Sequence, residues 1–130
     1  MKRHPQLLLL SREHHGALKL ARYARLAAES GSNAEIARLA QRVIELFASE
    51  LDPHFQVEER DLLPLLAAAG EQSLVERTLA EHVVLRELAG QLRAPDAATL
   101  ARFAELLLAH VRFEERELFE SAQHYLPHAD

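Results

Sequence analysis

The chain has 130 residues, 48% of them hydrophobic, which is enough for one domain with a real core and too short for two ordinary ones. A formal net charge of -5 without a long basic run excludes the electrostatic footprint of a nucleic-acid binder, although Lys2, Arg3, Arg22 and Arg25 make the first segment locally basic. The absence of cysteine excludes both a disulfide framework and a thiolate metal site, so any metal must be held by nitrogen and oxygen.

Apolar residues recur at three- and four-residue spacings and hairpin signals are missing, which predicts an all-α chain. The first helix is expected from Gln6 to Glu29, stopping at Gly31-Ser32-Asn33. Lys2 and Arg3 ahead of Leu7-Leu8-Leu9-Leu10 have a faint look of a signal sequence, but the apolar run ends at Ser11-Arg12-Glu13, too soon for an h-region or a membrane span. A cytoplasmic protein with no membrane partner is the expectation. His14 shares its helix face with Leu7, Leu10, Leu18 and Ala21, whereas His15 sits with Arg12, Lys19 and Arg22, so His14 is the inward residue.

The second helix, Ala34 to Ala69, carries His54 and Glu58 four residues apart, on one face and separated by roughly 6 Å of axial rise. Phe47, Leu51, Leu62 and Leu65 share that face. Pro53 and Pro64 each remove a backbone donor and crowd the carbonyl four residues back, so a kink is expected at both, the first of them aiming His54. The third helix, Glu71 to Leu92, offers one inward histidine, His82, beside Val75, Leu79, Leu85 and Ala89. The fourth runs from the N-cap Asp96 to Leu126 and repeats the motif of the second as His110 and Glu114, among Phe103, Leu107, Phe113 and Leu118. The end from His124 to Asp130, with Pro127, reads as fraying.

Connections this short force neighbouring helices antiparallel, giving a single domain over residues 1–130 with an up-down-up-down four-helix bundle. Six ionisable side chains then interrupt the apolar stripes: His14, His54, Glu58, His82, His110 and Glu114. Burying all six without a cation is expensive, and buried charges are paired or coordinate metals, so a metal centre is expected. Glutamates on two helices can bridge a metal pair, with two histidines per ion. One bridging oxide or hydroxide would bring each metal to about five donors and leave roughly one position open. Imidazole with carboxylate suits iron, manganese or zinc. His4, His15, His124 and His128, with Arg60 and Arg116, read as solvated surface. Glu13, Glu59, Glu81 and Glu115 read mostly as surface charge, a few of them orienting a ligand imidazole through its second nitrogen.

As a set, Glu13-His14, His54 with Glu58-Glu59, Glu81-His82 and His110 with Glu114-Glu115 resemble the hemerythrin family in its bacterial hemerythrin-like, HHE cation-binding branch. The resemblance implies an antiparallel four-helix bundle holding two non-haem irons, bridged by carboxylates and an oxygen atom, that handles O2, NO or peroxide-type ligands. In it the four histidines match the ligand histidines, and Glu58 and Glu114 the bridging carboxylates. The chain departs from the oxygen-carrying branch, which has a second histidine in the third helix where this chain has only Thr78 or Arg86 around His82. It also has Glu115 where that branch places an aspartate.

Fewer ligands favour a sensor, redox or iron-handling role over reversible oxygen storage. A metal- and ligand-binding protein is expected rather than an enzyme. The pocket for the small ligand is expected between Leu18, Leu51, Leu85, Leu107 and Phe113. An iron- or redox-responsive bundle is the alternative. A zinc hydrolase lacks a His-Glu-x-x-His motif, and a ferritin-like site lacks its Glu-x-x-His spacing. Tyr23 and Tyr125 lie off the ligand cluster. Protein partners and self-association are left open.

Overall fold

The computed structural model describes residues 3–127, so Lys2, His128 and the tail to Asp130 lie outside the described residues. Helix α1 spans Pro5–Glu29, with the His4 Nδ1 accepting from the Gln6 N–H at 3.1 Å and Pro5 at the first turn, where its missing donor costs nothing. It stops where the Ser30 hydroxyl donates to the Ala27 carbonyl at 2.6 Å and Gly31 takes φ +71°, a left-handed conformation that a side chain would strain. Ser32 caps the next helix, accepting from the Glu35 N–H.

Helix α2 runs without interruption over residues 33–68, α3 spans Gln72–Gln91, and α4 covers residues 97–125. Asp96 caps α4, its carboxylate accepting from both the backbone and the hydroxyl of Thr99. Each observed boundary lies within one residue of the expected one, because capping residues and glycines punctuate this sequence sharply. Among the described residues there is no strand, and no helix is long and apolar enough to cross a membrane.

The expected proline kinks take a different form. Two π turns, Phe47–Leu51 and Glu58–Leu62, lie directly ahead of Pro53 and Pro64, with Asp52 N–H donating to the Phe47 carbonyl and Leu63 N–H to that of Glu58. A wider turn relieves the clash between the proline ring and the preceding carbonyls without ending the helix. A third π turn, Glu114–Leu118, occupies the matching place in α4, closed by Phe119 N–H to Glu114, and no proline follows it. What the last two share is the glutamate that opens them, Glu58 and Glu114. π turns concentrate at functional sites, and these two are aligned on the repeated motif.

Two apolar clusters fill the interior. One joins the C-terminal half of α1, the N-terminal half of α2, the end of α3 and the start of α4, through Ala24, Val43, Leu88, Phe103 and others. The other joins the opposite halves, through Leu7, Leu66, Val75 and Phe119. That exchange of halves is the signature of an up-down-up-down four-helix bundle. The six ionisable residues form a polar layer between the clusters.

Candidate metal centre

All six predicted residues are buried, none more than 4% exposed, and they converge from four helices. α1 contributes His14, with His15 turned to the outer face. α2 contributes His54 and Glu58, α3 His82, and α4 His110 and Glu114. Their donor atoms fall into two groups: His14, His54, Glu58 and Glu114, and then Glu58, His82, His110 and Glu114, each with its atoms within 4.8 Å of one another. Both groups use the same two carboxylates.

The inner atoms meet without bonding to one another. His54 Nε2 is 3.1 Å from Glu58 Oε2, His82 Nε2 is 3.1 Å from Glu58 Oε1, and His110 Nε2 is 3.1 Å from Glu114 Oε2. Yet those three nitrogens, both Glu58 oxygens and Glu114 Oε2 are buried without a hydrogen-bond partner. Orphaned buried polar atoms are costly and rare, and six in one layer indicate potential ligand atoms aimed at common points between the side chains. A divalent ion with bonds of about 2.1 Å sets neighbouring donors about 3.0–3.4 Å apart, so the donor set fits cations. His14 differs, with its Nε2 2.8 Å from Glu114 Oε1.

The outer nitrogens are all occupied. The Nδ1 atoms of His14, His82 and His110 lie 2.6 Å from Glu115, Glu59 and Glu81 respectively, and that of His54 lies 2.9 Å from Glu13. These glutamates are therefore not mainly surface charge. Expected to orient a few imidazoles at most, they reach all four. Phe55 stacks on His82 at 3.9 Å between centroids, and Phe119 stacks parallel on His14 at 5.3 Å, so two of the rings are also held by packing.

Thr78, one turn before His82, donates its hydroxyl to the Leu74 carbonyl at 2.7 Å. Arg86 is bound to Asp52 and Glu59. α3 thus offers a single ligand. Arg60 pairs with Asp61 at the surface, and Arg116 is exposed.

A cleft of about 310 Å³ reaches the layer from the flank of α1 and α2, touching His14, His54, His110 and Glu114 and walled by Leu20, Leu51, Leu107 and Val111. Leu51 and Leu107 were expected there. Leu18 is not part of it: 36% exposed, it lines a separate groove on the outer side of α1 and α4. The buried stripe of α1 runs through Ala17, Leu20, Ala21, Ala24 and Ala27, so Leu18 sits at its edge. Leu85 and Phe113 are buried but do not border the cleft.

Electrostatics follow from crowding carboxylates and imidazoles in a dry layer. Burial pushes the His54 imidazole down, but Glu114 and Glu58 outweigh it and hold its pKa at about 11. Burial acts likewise on His110, where Glu114 and Glu81 raise it to about 10, and on His82, raised by Glu114 and Glu58. Burial and the charge of Glu114 push Glu58 up. Burial also opposes ionisation of Glu114, but His110, His14 and His54 prevail and bring it well below the usual carboxylate range.

A cation must displace those protons to reach Nε2. Zinc titrated into the metal-free chain at neutral pH is expected to release about two protons or more, counting one each from His54 and His110. Calorimetry in buffers of different ionisation enthalpy counts them directly. Release of none would contradict the protonated imidazoles.

A four-helix bundle whose buried layer sets two histidine pairs around two shared carboxylates is a metal-binding protein by its fold and donor set. A family model described as Hemerythrin HHE cation binding domain matches residues 7–122, and the chain belongs to that family. No curated protein and no solved structure matches it.

Proposed function

We propose that this chain is a non-haem di-iron protein that binds O2, NO or a peroxide-type ligand, with one iron held by His14 and His54, the other by His82 and His110, and Glu58 and Glu114 bridging them. The observation that carries this reading is the sharing of both carboxylates by two four-residue donor groups, which suits a pair of ions rather than one. The cleft favours the His14–His54 end for the exogenous ligand, since it touches both of those rings but, of the other pair, only His110. When bound, iron would supply redox chemistry and an open coordination position. Around it the chain itself contributes an apolar wall from Leu20, Leu51, Leu107 and Val111 that limits water.

Manganese or zinc would satisfy the same donors, and the oxygen response separates them from iron. The chain purified anaerobically from iron-supplied cells is expected to carry about two irons and to gain ligand-to-metal charge-transfer absorption on exposure to air. Stoichiometric zinc and no air response would transfer the assignment to a hydrolytic or structural site. A second reading, an iron- or redox-responsive bundle, draws on the position of the polar layer between two apolar clusters, where loss of cations would loosen the whole fold.

A further inference from the structure

We propose that Glu13, Glu59, Glu81 and Glu115 act as one closed ring of positioning residues, each helix orienting the imidazole of the next, and that this ring sets the donor strength of the four histidines. The proposal rests on the metal-centre reading above. Glu13 of α1 holds His54 of α2, Glu59 of α2 holds His82 of α3, Glu81 of α3 holds His110 of α4, and Glu115 of α4 returns to His14 of α1. Every helix thus presents one inward histidine and one glutamate directed at its neighbour, in a single rotational sense.

The geometry of an antiparallel bundle explains why the ring closes. Consecutive helical residues are about 100° apart, so when one points at the bundle axis its neighbour points at the boundary with an adjacent helix. On α1 and α3 the ring glutamate precedes the inward residue, as Glu13-His14 and Glu81-His82. On α2 and α4 it follows, as Glu58-Glu59 and Glu114-Glu115. Viewed from one end, a step back along an ascending helix and a step forward along a descending one turn the same way. All four glutamates therefore face the same side.

A carboxylate facing Nδ1 accepts its proton, so once a cation displaces the inner proton the remaining one sits on Nδ1 and the Nε2 lone pair is left for the metal. Such outer partners fix the tautomer and raise the basicity of a metal-bound imidazole, and losing one typically costs about 10–100-fold in metal affinity. The four links are not equal. Arg86 braces Glu59, Arg77 braces Glu81, and Arg3 with Ser11 braces Glu115. Among the described residues Glu13 meets no such cation, and its side chain is 48% exposed at the rim of the cleft, where water can replace it.

The test uses the full chain and zinc as a redox-silent probe, with affinity read by chelator competition and the imidazole tautomers by nitrogen-15 NMR of the zinc-loaded protein. Glu59→Leu, Glu81→Leu or Glu115→Leu is expected to weaken zinc by about 10–100-fold, and Glu59→Gln, Glu81→Gln or Glu115→Gln, whose carbonyl oxygen still accepts from Nδ1–H, to recover most of that loss. Glu13→Leu should lose less than about tenfold, and the exposed control Glu87→Leu nothing. Leucine variants within about twofold of wild type, glutamine no better than leucine, or imidazoles carrying no proton on Nδ1 would each overturn the ring. Failure of the wild-type chain to take up zinc or iron would instead overturn the metal centre on which the ring depends.

Discussion

Glu58→Ala is expected to empty both halves of the site, while His54→Ala removes one ion and His15→Ala none. Glu58 belongs to both donor groups, one oxygen 3.1 Å from His54 and the other 3.1 Å from His82, whereas His54 belongs to one group only. Elemental analysis should therefore read about two ions per chain in wild type, about one in His54→Ala and well under one in Glu58→Ala. Truncating a buried charge partner also costs about 3–5 kcal/mol through the groups it leaves behind. Glu58→Gln keeps the volume and removes the charge, so it separates metal loss from unfolding. The apolar clusters on both sides of the layer should keep either variant helical by circular dichroism. Equal losses in Glu58→Ala and His54→Ala would defeat the sharing of carboxylates, and metal loss in His15→Ala would defeat the face assignment of α1.

The inward residues were legible because a polar side chain on an apolar stripe stands out against a 3.6-residue period, and because Gly31, Ser32 and Asp96 mark helix ends. Residues at the edge of a stripe were not legible in that way. Leu18 and Leu79 share a nominal face with His14 and His82, yet they are 36% and 41% exposed, since a residue well off the centre of the stripe can fall on either side of a helix contact. The ring glutamates occupy the same ambiguous angle. Periodicity within one helix cannot distinguish a boundary with the next helix from solvent, and it gives no hint of which histidine lies across it. The signal was present in another form, the glutamate adjacent to each inward residue, preceding it on two helices and following it on the other two. Reading it requires the antiparallel topology as well as the sequence. The π turns show a further limit. Pro53 and Pro64 announce two of them, but Glu114–Leu118 has no proline to announce it.

Stripping the cations is expected to lower the melting temperature by about 15 °C for each ion lost at neutral pH, and by more as the pH rises. A cation present at about a thousand times its dissociation constant stabilises the fold by about 4 kcal/mol, and each kcal/mol is about 3–5 °C in a chain of this size. The pH dependence follows from the protons that replace the metal. His54 and His110 are raised in the folded chain to about 11 and about 10, so their contribution is complete below the ordinary histidine value and is lost as pH climbs through those folded values. Glu58 is raised too, which costs stability once pH passes its unfolded value. Glu114 is depressed, so its contribution is present above the ordinary carboxylate range and fails only in acid. The metal-free chain should thus melt higher at about pH 6 than at about pH 9. The loaded chain, which has already released those protons, should show the weaker dependence, so the gap between the two widens with pH. Calorimetric scans with and without a chelator measure that gap, and a metal-free chain equally stable at both pH values would show that imidazole protons are not what neutralises the buried carboxylates when the cations are gone.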